Sequence, residues 1–148
     1  MPDIFSIVGS ALNAQDSRMG VIASNLANVD SVTPAGGTPY RAHEVVFEAG
    51  QVADGEASGT DLAAGDGDAG DTGVTVAGTV LSNAPPKQTY DPTSPFANAQ
   101  GYVTGSNVNQ ADQMVDLIDS SNSYSASVAV LQQAARVDQQ LISSIQVA

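Results

Sequence analysis

The chain has 148 residues, a net charge of −12 and a calculated pI near 4.1, with only four basic side chains, Arg18, Arg41, Lys87 and Arg136. That balance excludes nucleic-acid binding by phosphate neutralisation and docking on anionic lipid. The absence of cysteine excludes disulfides and thiolate chemistry, and a zinc site would need several carboxylates beside the single histidine.

The first element in chain order is a helix over about residues 3–28. Counted in heptads from Phe5, the a positions are Phe5, Leu12, Met19 and Leu26, and the d positions are Val8, Gln15, Ile22 and Val29. All but Gln15 are apolar, the pattern of a coiled-coil seam rather than of a broad globular face. Asp3 is placed to cap its start, Asn28 to end it, and Thr33-Pro34 followed by Gly36-Gly37 stops any continuation. Before it, Met1-Pro2-Asp3-Ile4-Phe5 has neither the basic region nor the long apolar stretch of a cleaved signal peptide. No run in the chain approaches the length of a membrane span, so direct membrane insertion is not expected.

The middle, 34–105, holds most of the glycine and every proline except Pro2. Short β-rich runs at 44–47, 74–81 and 102–104 predict a few strands around a small core. Between them, 49–73 is Ala, Gly, Asp, Ser and Glu with hardly a large side chain, and reads as a mobile acidic loop. The final element is a second helix over about 109–147. Met114, Leu117, Tyr124, Val128, Leu131, Ala135, Ile142 and Ile145 fall on steps of three and four, interrupted at Ser121 and Asp138. Asn109 is a capping candidate with Asp112 three residues on, and Asp112, Asp116 and Asp119 suit the positive end of the helix dipole. The fold class is therefore α+β. Two long terminal helices (1–33 and 106–148) form a coiled-coil-like core domain, and 34–105 forms a small outer β-rich domain.

Neither helical segment contains a Lys or a Glu, the residues that usually fill solvated helix faces. Ser10, Asn13, Ala14 and Ser17 stand there instead, and later Ser123, Ser125, Ala126, Ser127, Gln132 and Gln133. Depletion of charge and small side chains together mark helices packed on several sides by other chains. A self-contained helical hairpin with a β-rich insertion fits the same pattern.

Candidate chemistry fails on inspection. An EF-hand loop starting at Asp66 and running through Asp68 and Asp71 would meet Gly70 and Ala77 where ligands are needed. His43 reads as a strand-edge histidine, and Glu44 and Glu48 as solvent-facing residues of one strand. The acidic glycine-rich run 65–68 would repel phosphate rather than cradle it. No catalytic residue, cofactor or metal is expected. A secreted acidic calcium-dependent binding module is the second function class the composition admits.

The run Ala23-Ser24-Asn25-Leu26-Ala27-Asn28-Val29-Asp30-Ser31 closely resembles the signature of flagellar basal-body rod proteins, with Leu12 and Arg18 where that family has a Leu and an Arg. Pro39-Tyr40-Arg41-Ala42, Val45-Val46-Phe47, Gly73-Val74, Tyr90-Asp91-Pro92, Gly101-Tyr102-Val103, Asn107-Val108 and Met114-Val115 resemble its proximal-rod branch in order along nearly the whole chain. The acidic stretch near 54–72 is longer than the family's loop, and Asn122 and Ser127 flank Tyr124 where the family has an Arg and an Asn. The resemblance implies a non-enzymatic subunit of the axial drive shaft, passed unfolded through the flagellar export apparatus and polymerised in the periplasm. Its implied partners are copies of itself, other rod subunits, a rod-base adaptor and the membrane motor ring. The assembly residues expected are Phe5, Val8, Leu12, Met19, Ile22 and Leu26, pairing with Met114, Leu117, Val128, Leu131, Ile142 and Ile145. Tyr124 lies on the second helix, Arg18 is expected to find a carboxylate on that helix or on a neighbour, and Asn25 and Asn28 to make amide contacts or end the first helix.

Overall fold

The computed structural model describes residues 4–34, 36–51 and 72–146. In chain order it contains α1 (Ile4–Ala27), β1 (Val32–Thr33), β2 (His43–Gln51), β3 (Thr72–Leu81), β4 (Gln88–Tyr90), β5 (Tyr102–Gly105) and α2 (Gln110–Gln146). This is the expected α+β order of two terminal helices around strands.

Helix α1 stops where its last carbonyls find other partners. Asn28 and Val29 donate back to the carbonyls of Asn25 and Leu26, and the Asn28 side chain donates to the Ser24 carbonyl at 2.8 Å. Helix α2 starts on a side-chain cap: Asn109 Oδ1 accepts from the Ala111 amide at 3.1 Å, and its Nδ2 donates to the Asp112 carboxylate at 2.7 Å. The helices run antiparallel, since Asn25 meets Gln113 while Ile4 shares a groove with Val130, Ala134 and Val137. At 1.5 Å per residue, α1 is about 36 Å long and α2 about 55 Å, so α2 overhangs the start of α1.

The strands form two separate sheets. One has three antiparallel strands in the order β1-β5-β4; the other is the long β2–β3 hairpin, with a bulge between Val46 and Phe47. Strands β2 and β3 reach further than expected, taking Ala49 to Gln51 and Thr72 to Gly73 from the flanks of the acidic stretch. Its remainder, 52–71, lies outside the described residues, as does Asp3. Strands β1 and β4 carry too few residues to show a period of two, and the sequence does not announce them.

The core is small. Val8, Ala14, Ile22, Ala42, Val103 and Val108 are its buried apolar residues among those described, and Asn25, Ser106 and Ser120 are buried with them. In place of a strict heptad seam, α1 buries a broader face, because the hairpin and α2 both pack on it. Ala14, outside the a and d positions, is therefore more buried than Leu12.

Candidate assembly interface

The end of the helix pair from which the strands spring is closed by two asparagine side chains. Asn25, in the last turn of α1, is only 1% exposed. Its Oδ1 accepts from the His43 amide at 2.9 Å, and its Nδ2 donates to the His43 carbonyl at 2.8 Å. These two bonds copy the reciprocal pair that a neighbouring strand would make, so one side chain takes the place of a strand at the outer edge of β2. The same amide donates to Gln113 Oε1 at 2.8 Å and accepts from the Tyr40 hydroxyl at 3.1 Å. Asn107 does similar service for the adjoining segment. It accepts from the Ala42 amide at 2.6 Å and donates to the Ala84 carbonyl at 2.9 Å. Arg41 closes on the Ser82 carbonyl through Nε at 2.9 Å and Nη2 at 2.6 Å, and on Asn83 Oδ1 at 2.7 Å. Ser106 Oγ, buried, donates to the Val29 carbonyl at 2.7 Å. Asn25 and Ser106 are thus satisfied within the chain, whereas farther along the helices the buried Ser120 hydroxyl and Gln15 Oε1 have no hydrogen-bond partner among the described residues.

The small residues of α1 have a partner that the sequence does not reveal. Ser10, Asn13, Ala14 and Ser17 line a groove with Val74, Thr75 and Val76 of β3, and the Val74 amide donates to Ser10 Oγ at 3.1 Å. The hairpin of the same chain thus lies against part of the face expected to meet neighbouring chains, with Ala14 buried and Asn13 and Ser17 exposed. Small side chains permit that approach, and Ser10 completes its valence by donating to the Ile7 carbonyl at 2.7 Å.

The expected assembly residues divide by position. Val8 and Ile22 are buried between elements of this chain; Leu12, Met19, Leu26, Leu117, Tyr124, Val128 and Leu131 are half-buried. Arg18 reaches Asp116 at 3.8 Å, a long and partly solvated ion pair across the two helices that contributes little. Asn28 ends the first helix, and the amide contacts of Asn25 are all within the chain. Phe5, Met114 and Ile142 are 39%, 45% and 59% exposed. Ile142 lies on the part of α2 that runs past the start of α1. The Ile145 side chain lies outside the described residues.

Several large apolar side chains outside the expected set face outward. Val115 and Ile118 are 66% and 62% exposed on the first turns of α2, and Leu141 is 57% exposed on its overhang, with Val130 and Val137 before it. Every described side chain of α2 from Arg136 to Ser144 is exposed. Gly9 and Gly20 of α1 have open space where a Cβ would point. Each lowers helix stability by about 1 kcal/mol relative to alanine, with no contact for a Cβ among the described residues. The signal that marks Val115, Ile118 and Leu141 in the sequence is apolar residues off the seam in a helix that has no Lys or Glu to cover them.

Comparison with known proteins bears on what these faces do. Residues 6–34 match the family described as flagella basal body rod protein, and 99–144 match the C-terminal family of flagellar basal body rod FlgEFG proteins. The chain is 46% identical over 129 residues to the flagellar basal-body rod protein FlgC of Salmonella typhimurium, covering 87% of this chain and 86% of that one. It is 38% identical over 134 residues to FlgC of Buchnera aphidicola from Acyrthosiphon pisum, covering 89% and 88%, and 38% identical over 133 residues to FlgC of Bacillus subtilis, covering 85% of each. Similarity in sequence along most of its length to these proteins places the chain in the family of flagellar basal-body rod proteins, among those named FlgC.

Proposed function

We propose that the chain is a structural subunit of the proximal rod, built into the axial shaft through the outward faces of α1 and α2 and transmitting torque by packing alone. The observation that carries this reading is the set of large apolar side chains left on the outside of α2: Val115, Ile118, Leu141 and Ile142. Their burial against neighbours contributes about 1.5–3 kcal/mol for each side chain fully covered. The open glycines support the same reading, because a missing Cβ lets a neighbour's backbone come close to α1.

On this reading the helices are the axial core, with seams completed by neighbours into coiled-coil-like packing, and the strands between them are the outer domain. Packing is head-to-tail and lateral without point-group closure, as a shaft requires. The partners are other copies, other rod subunits, the rod-base adaptor and the motor ring. The subunit arrives in the periplasm through the flagellar export apparatus, and its far helical turns gain order on assembly. The test is a charge placed on the outer face: Val115→Asp with Ile118→Asp in the native locus. The purified chain keeps its helical circular dichroism and the cells lose rods, seen by electron microscopy of basal bodies. Normal rods in that strain would sink the reading.

A further inference from the structure

We propose that Asn25 is a rigid joint that fixes the angle between the β2–β3 hairpin and the helix pair, and that the joint requires His43 to donate a proton from Nδ1. Four pieces of chain converge on this one side chain: α1 carries it, β2 begins at His43, α2 supplies Gln113 from its first turn, and the connecting segment supplies Tyr40. An asparagine side chain has two torsions, and here both ends of its amide are fixed. The oxygen is identified by the His43 amide that donates to it at 2.9 Å, and the nitrogen by the two carbonyl oxygens it meets at 2.8 Å.

The proton assignments follow in sequence. Asn25 Oδ1 can only accept, so the Tyr40 hydroxyl gives it its single hydrogen at 3.1 Å. That leaves the Tyr40 oxygen as an acceptor toward His43 Nδ1, 3.2 Å away, so Nδ1 carries a hydrogen. Ser24 Oγ, 3.4 Å from the same oxygen, is likewise left the role of donor. In the neutral ring Nε2 is then bare. Beside His43 lies a cleft of about 350 Å³ whose charged lining is Arg18 from α1, Glu44 from β2 and Asp116 from α2. Every partner is in one chain, so the inference stands whether or not the assembly reading does.

The test uses the full-length chain labelled with nitrogen-15, in which the single histidine assigns its own ring signals. Near neutral pH the two-bond nitrogen–proton pattern is that of the Nδ1–H tautomer. The Nε2–H pattern, or the averaged pattern of a free imidazole, overturns the proposal. Residual dipolar couplings then compare the orientation of β2 with that of α1. His43→Asn puts a donor nitrogen close to the Nδ1 position and keeps the wild-type orientation; His43→Gln puts it near Nε2 and loses it, as does Asn25→Ala, with helical circular dichroism retained. An unchanged orientation in Asn25→Ala overturns the joint, and the tautomer measurement on the unaltered chain decides the matter should that variant fail to fold.

Discussion

The two ends of the helix pair are made of similar residues and behave as opposites. At the near end, where the strands attach, Ile22, Asn25, Ala42, Val103, Ser106 and Val108 are buried and their polar groups are paired within the chain. At the far end, α2 runs past α1 with Leu141 and Ile142 more than half exposed. The near end is a small globular core. The far end carries large apolar side chains among polar ones, and no described residue covers them. The difference lies in connectivity: strands and turns gather where α1 ends and α2 begins, and among the described residues the other ends of the two helices meet only each other. In a subunit that must pack into a shaft, stability within the chain and adhesiveness between chains are thereby separated along one helix pair.

Substitutions can break that contrast in order of effect. Leu12→Pro removes a helical hydrogen bond in the middle of α1 and costs about 3 kcal/mol or more. Loss of both the helical signal in the purified chain and motility in cells is expected, and motile cells would contradict the role given to α1. Ile22→Ala, at the buried end, lowers unfolding free energy by about 2–5 kcal/mol. Leu141→Asp, at the exposed end, changes it by less than about 0.5 kcal/mol in the isolated chain while abolishing rods. Urea titrations of the two proteins side by side test the pair; equal destabilisation would erase the distinction between the ends. Gly20→Ala sharpens it further. The new Cβ meets open space in the chain and stabilises α1 by up to about 1 kcal/mol, yet impairs assembly if a neighbour lies close there. A variant both more stable and fully assembled would show that no chain approaches at Gly20.

The smallest effect concerns the outer strands. The Thr93 hydroxyl, at 2.7 Å, and the Thr93 amide, at 3.1 Å, hold the Asp91 carboxyl below its ordinary value. A carboxyl whose pKa is lower folded than unfolded stabilises the fold above its unfolded pKa, and that contribution disappears as pH falls through the folded one. The turn at 91–94 is thus expected to loosen only in acid. A carbon-13 titration of the Asp91 carboxyl should give a midpoint below the unfolded value, and Asp91→Asn should remove the acid dependence of the turn's amide shifts.

How much of this was legible beforehand varies from element to element. The helices announced themselves through apolar periodicity, the cap at Asn109 through its spacing to Asp112, and the hairpin through its β-branched runs. The partner of Ser10 and Ala14 did not, because a small residue says that something comes close and not which chain it belongs to. Nor did Asn25: its place in a family-like motif marked it, but four hydrogen bonds reaching residues 15, 18 and 88 positions away leave no trace in local pattern.

The sequence by itself determined that two charge-poor amphipathic helices flank a β-rich middle, that basic residues are few and thiols absent, and which family the chain resembles. These follow from composition and from periods of two and 3.6 residues, which act locally. Only the tertiary structure decided which apolar side chains are covered, that the hairpin lies beside Ser10 and Ala14 of α1, and that Asn25 joins three elements. Those outcomes depend on relative helix length and on contacts distant in sequence, where no local rule reaches.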